Sequence, residues 1–110
     1  MVNNKKIVLF VNGMAAFDFD KELTLEESQL SVLDKMDSDM DNGIKINGQS
    51  YSHPNIEQRG TFVTMNLIKG LQQENQAIVT ASCAYIASRL VDVNQIHITE
   101  NENGVNVKFN

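Results

Sequence analysis

Apolar positions along this chain change their period several times, and each change marks an element. Residues 5–20 predict a β-hairpin. Two extended, β-branched and aromatic stretches flank Asn12-Gly13, a pair that supplies the positive φ angles of a type I′ turn. That turn sets Val11 opposite Met14, Leu9 opposite Ala16 and Val8 opposite Phe17. One face then carries Val8, Phe10, Ala15, Phe17 and Phe19, and the other Ile7, Leu9, Val11, Met14 and Ala16. Both faces are apolar, so both are expected to be covered.

The period then becomes helical. Over residues 24–42, Leu30, Leu33, Met36 and Met40 form one stripe, Thr24 and Glu27 have capping-box spacing, and Gly43 follows the last turn. Residues 44–51, with a second Asn-Gly pair at Asn47-Gly48, predict a small hairpin or an ordered loop. A second helix is expected over 55–73, started by Pro54 or capped by Asn55 with Gln58, and it is apolar around most of its circumference. A third helix, over 76–90, has a stripe of Val79, Cys83, Ile86 and Leu90. Beside that stripe lie Ala77, Ala81, Ala84 and Ser88, small enough for close backbone approach. The short joint between these helices predicts an antiparallel αα-hairpin. A last hairpin puts Ile96, Ile98, Val105, Val107 and Phe109 on one face and His97, Thr99, Asn106 and Lys108 on the other, with its turn expected at Asn103-Gly104.

The order ββ-α-short arm-αα-ββ predicts a single α+β domain over residues 1–110. Its expected form is an antiparallel sheet, built from the N- and C-terminal hairpins and packed against about three helices. An apolar share of 42% is enough for a core without metal or disulfide.

Charge narrows the function. Nine Lys and Arg against fourteen Asp and Glu give a net charge of −5, and the basic residues are scattered. Nucleic-acid affinity needs a clustered basic surface, so nucleic acid is not an expected partner. The apolar run 7–11 after Lys5-Lys6 imitates a secretory leader but breaks at Asn12-Gly13, and no stretch is long enough to span a membrane. A cytoplasmic protein is expected. The lone Cys83, among small apolar neighbours, is expected to be a buried, inert thiol.

Candidate chemistry is thin, and no cofactor, metal site or catalytic set is expected. Asp37, Asp39 and Asp41 occupy the first, third and fifth positions of an EF-hand-like loop. Asn42 stands where that loop needs glycine, and Gly48 where it needs the bidentate Glu. These carboxylates also sit at a helix C-terminus, where each opposes the macrodipole by about 0.3–1 kcal/mol. That cost suggests a cationic partner, either a basic protein surface or a divalent ion. Arg59 and Arg89 fall at neighbouring ends of the αα-hairpin, where they make either a shared anion site or ion pairs to Glu57 or Asp92. Asp18, Asp20, His53 and His97 have no spacing that demands catalysis.

Three apolar surfaces exceed what so small a monomer readily covers: the two-faced first hairpin, the second helix and the small-residue side of the third. The expectation is a non-enzymatic interaction or regulatory domain acting as a homodimer, with a further protein partner possible. The alternative is a small-molecule-binding protein or small enzyme with a sheet–helix pocket near Tyr51, Arg59, Tyr85 and Arg89. A third is a subunit ordered only in a larger complex.

Overall fold

The computed structural model describes residues 6–20, 27–90 and 92–110. Its elements are β1 (Lys6–Val11), β2 (Met14–Asp20), α1 (Glu27–Asp41), β3 (Ile44–Ile46), β4 (Gln49–Tyr51), α2 (Ile56–Gln72), α3 (Gln76–Arg89), β5 (Gln95–Asn101) and β6 (Gly104–Phe109). The cap expected at Thr24 and the strand start expected at Lys5 lie outside the described residues.

The fold is α+β, and the terminal hairpins join in one four-stranded sheet of order β2-β1-β5-β6; β3 and β4 pair separately. The hairpins meet through β1 and β5, which run parallel with Leu9 beside Ile96 and Val11 beside Ile98. The sheet is therefore mixed, not antiparallel throughout. The local turn signals specify each hairpin but carry no information about which way the two lie against each other.

The first hairpin departs from the expected register at one point. Val11 faces Met14 and Phe10 faces Ala15, but Leu9 then faces Phe17, leaving Ala16 as a bulged extra residue. A bulge shifts the alternation by one. Phe17 and Phe19 therefore move to the side of Leu9 and Ile7, where they pack on the core, and Asp18 and Asp20 turn outward. The expectation that both faces of this hairpin are covered does not hold among the described residues. Ile7 and Leu9 are fully buried, whereas Val8 and Phe10 are half-buried on the open face. There Phe10 stacks on His97 with ring centroids 4.7 Å apart. In the last hairpin the turn is one residue earlier than expected: Asn101 pairs with Gly104, so Glu102 and Asn103 form the loop. The predicted faces survive, because this changes the pairing by two residues and side chains alternate with period two.

The helices cover the sheet face carrying Ile7, Leu9, Ile96 and Ile98, and Leu33, Met40, Val63, Leu67, Val79, Tyr85 and Ile86 complete the core. Asn55, not Pro54, caps α2. Its side chain accepts from the Gln58 N–H at 2.8 Å, and the Gln58 side chain accepts from the Asn55 N–H at 2.9 Å. At the other end the Asn75 N–H reaches the Gly70 carbonyl (2.8 Å) and the Glu74 N–H the Leu71 carbonyl (3.3 Å). That is a Schellman closure, but with Glu74 at φ +53 where glycine is usual.

The all-round apolar character of α2 is absorbed by neighbours on several sides. Where α3 crosses it, Gly70 is essential: a Cβ there would sit 2.9 Å from Ile78 Cγ2 and 3.2 Å from Val79 Cγ2. Both neighbours are β-branched and stiff. At Gly60 a Cβ would meet Leu90 Cδ1 at 2.8 Å and Phe109 Cζ at 3.1 Å. The Leu90 methyl can swing aside more readily.

Denaturant titrations of three variants test this helix pair. Gly70→Ala is expected to lower stability by about 1–2 kcal/mol, since overpacking outweighs the gain in helix propensity. Gly60→Ala should lower it less. Glu74→Gly should raise it by roughly 0.5–1 kcal/mol by relieving the left-handed residue.

Candidate functional site

Four of the five residues singled out in the sequence meet in the fold or adjoin the same cluster. Asp37 lies on the face of α1 turned toward the other helices, between Arg59 from α2 and Tyr85 and Arg89 from α3. Its Oδ1 accepts from Tyr85 Oη at 2.5 Å and from Arg59 Nη1 at 3.1 Å, and its Oδ2 from Arg89 Nε at 3.2 Å. Arg59 is further engaged by the backbone carbonyls of Asp37 and Pro54, both at 3.1 Å, and by the Asp41 carboxylate. Arg89 Nη2 donates to Asp34 at 3.0 Å. Asp39 stands apart, on the exposed side of α1 with Lys35 at 3.5 Å.

Two candidates thus resolve into one. The cation that the acidic helix end calls for is supplied within the chain, and the two arginines are neutralised by aspartates of α1. Their partners are Asp34, Asp37 and Asp41, not the Glu57 and Asp92 expected from proximity in sequence. Both guanidiniums donate to these carboxylates, and Arg59 also to two carbonyls, so the arrangement forms a clasp between helices. Tyr51 lies elsewhere, at the end of β4, and none of the described pockets it lines includes Arg59, Tyr85 or Arg89.

The clasp shifts its own titrations. Burial works to raise the Asp37 pKa, but hydrogen bonds from Tyr85, Arg59 and Arg89 outweigh it, and the carboxyl ends below its ordinary value. Tyr85, fully buried, is pushed far above the ordinary tyrosine range by burial and then by the Asp37 carboxylate it donates to. The Asp41 hydrogen bond, against the effect of burial and helped by Asp37, raises Arg59.

Cys83 is buried, and desolvation pushes its thiol up to about 11. Asp18 pairs with Lys6 at 3.6 Å on the open sheet face, and His97 is 3.0 Å from Gln95 Oε1. Among the described residues no group of three or more His, Cys, Asp or Glu is placed to hold a metal, and no helix is long and apolar enough to cross a membrane.

The described residues also line several concave surfaces. One, about 440 Å³, is a groove between α1 and α3 lined by Gln29, Val32, Leu33, Gln76, Ala77, Thr80, Ala81 and Ala84. None of these side chains is ionisable. This is the small-residue side of the third helix, and among the described residues the N-terminal half of α1 does not close onto it. A smaller cleft of about 280 Å³ lies between β6, the β3–β4 arm and the start of α2, and includes Tyr51, Asn55, Glu57, Gln58 and Thr61. Sequence reasoning missed the residue that shapes it, Asn47. The Asn-Gly pair announced the turn, but nothing local indicates where the side chain goes.

Acid and alkaline unfolding of wild type and Tyr85→Phe test the clasp. A carboxyl with a depressed folded pKa contributes stability that is fully present above its unfolded value, near 3.9, and lost as pH falls through the folded value. A tyrosine with a raised pKa contributes stability present below about pH 10 and lost as pH rises beyond it. Tyr85→Phe should therefore cost about 1–3 kcal/mol at neutral pH, move the acid midpoint upward and abolish the alkaline loss. Asp37→Asn, which leaves two guanidiniums without their shared carboxylate, should cost at least as much.

Compared with protein-family models, with curated proteins and with solved structures, the chain has no match.

Proposed function

We propose that this protein is a small non-enzymatic interaction domain that works in the cytoplasm as a homodimer, paired through the groove between α1 and α3. The observation that carries the reading is the lining of that groove. Among the described residues that line it, Val32, Leu33, Ala77, Ala81 and Ala84 are apolar, and Gln29, Gln76 and Thr80 are neutral. Acid–base catalysis needs a group that can hold or release a proton, and nucleophilic catalysis needs an activated nucleophile; this lining supplies neither. It does supply apolar area, with Val32 46% exposed.

Two features favour a second copy as the occupant. The face carries both a projecting side chain, Val32, and a shallow hollow of alanines, so a twofold axis can seat each valine against the partner's alanines. The chain as a whole bears a net charge of −5, yet the described residues of this lining are uncharged. Two copies can meet here without setting like charges against each other. Leu30, 42% exposed on the same helix, adds apolar surface outside the groove itself.

Sedimentation equilibrium is expected to give about twice the 12.3 kDa chain mass, with Ala81→Glu shifting the protein to monomer while its far-UV circular dichroism stays unchanged. A monomer mass that does not change with concentration would remove the reading.

A further inference from the structure

The strand β6 is an edge of the sheet, and half of its backbone faces away from β5. The phase of that alternation is fixed at its end. Asn110 and Gln95 exchange both backbone hydrogen bonds, at 2.9 and 3.0 Å, so the even-numbered residues of β6 bond inward and Val105, Val107 and Phe109 point outward.

At Val105 the outward groups are already taken. The Val105 N–H donates to Asn47 Oδ1 at 2.9 Å, and Asn47 Nδ2 donates to the Val105 carbonyl at 2.7 Å. The side-chain amide of Asn47 presents one acceptor and one donor to Val105, as one residue of an added antiparallel strand does. The chain is built to allow this approach: a Cβ at Gly104 would lie 2.5 Å from Asn47 Oδ1. Asn47 itself holds φ +53 at the tip of the β3–β4 turn.

Two residues further on, the Val107 N–H and C=O point to the same side, and no described residue bonds them. They face the 280 Å³ cleft, whose walls are Ile46, Asn47 and Tyr51 on one side and Asn55, Glu57, Gln58 and Thr61 on the other. We infer that this cleft receives an extended polypeptide segment from a protein partner. The segment adds to the β6 edge at Val107 and continues the pairing that Asn47 begins at Val105. Main-chain hydrogen bonds hold the segment, and the walls select its side chains. Glu57 is the one carboxylate among the described residues of this lining, so the segment carries a Lys or Arg beside the paired residue. This surface is separate from the α1–α3 groove and does not depend on how that groove is used.

The test starts from a displayed library of random short peptides selected on the full chain. A selected peptide is then made synthetically and titrated into labelled protein while amide chemical shifts are followed. The expected peptide carries a basic residue and perturbs Val105, Val107, Gln58 and Thr61. N-methylation of its residue opposite Val107 weakens it about tenfold, the scale of one lost backbone hydrogen bond, and methylation of the next residue does not. Glu57→Gln weakens it, and Thr61→Trp, which fills the cleft, abolishes it. The inference is overturned if selection returns no peptide. A footprint elsewhere, including on Ala77 and Ala81, overturns it equally, as does binding indifferent to N-methylation at every position.

Discussion

The carboxylate of Asp37 is the point at which the three helices are held together by something other than apolar contact. It accepts from Tyr85 and Arg89 on α3 and from Arg59 on α2, while itself belonging to α1. Core burial is non-directional, so it can hold α1 against the αα-hairpin in several rotations. A carboxylate that must meet two guanidiniums and a phenol admits far fewer. Partial burial makes the arrangement all-or-none: with any member missing, the others are left desolvated and short of partners. The opposition of Asp37 and Asp41 to the helix dipole is offset by these same guanidiniums.

The clasp is at the C-terminal half of α1, and beside the N-terminal half the groove opens against Ala77, Ala81 and Ala84. The same geometry turns Arg59 and Arg89 toward the aspartates of α1, apart from the α1–α3 groove and the cleft beside β6.

The sheet is joined by a second recurring device, asparagines in tight turns. Asn12 uses its side-chain oxygen to accept from the Glu100 N–H at 3.1 Å, extending the contact of the first hairpin with β5, and Asn47 does the corresponding work on β6. Each holds a positive φ, near +50°, that aims the side chain away from its own hairpin. The last hairpin is therefore gripped on both sides by turns from elsewhere in the chain. The grip on β6 stops at Val105, which leaves the rest of that edge open beside the start of α2.

The sequence by itself determined the order of the elements and the faces of the last hairpin. Asn12-Gly13 and Asn47-Gly48 placed two turns, Asn55 with Gln58 marked a helix start, and the alternation of Ile96, Ile98, Val105, Val107 and Phe109 identified a core face even though the turn lies one residue earlier. These are local signals, carried by backbone preference and side-chain period within a few residues. It also raised Asp37, Asp41, Arg59 and Arg89 as residues needing partners, because their charges are visible without a structure. Only the tertiary structure decided that they satisfy one another, that β1 and β5 run parallel, that Ala16 is bulged so Phe17 and Phe19 turn inward, and that Asn47 closes on Val105. Each of these joins positions on different elements, or selects one register among several with similar local energy. The deciding term is the packing of the whole core, which no short stretch of sequence contains.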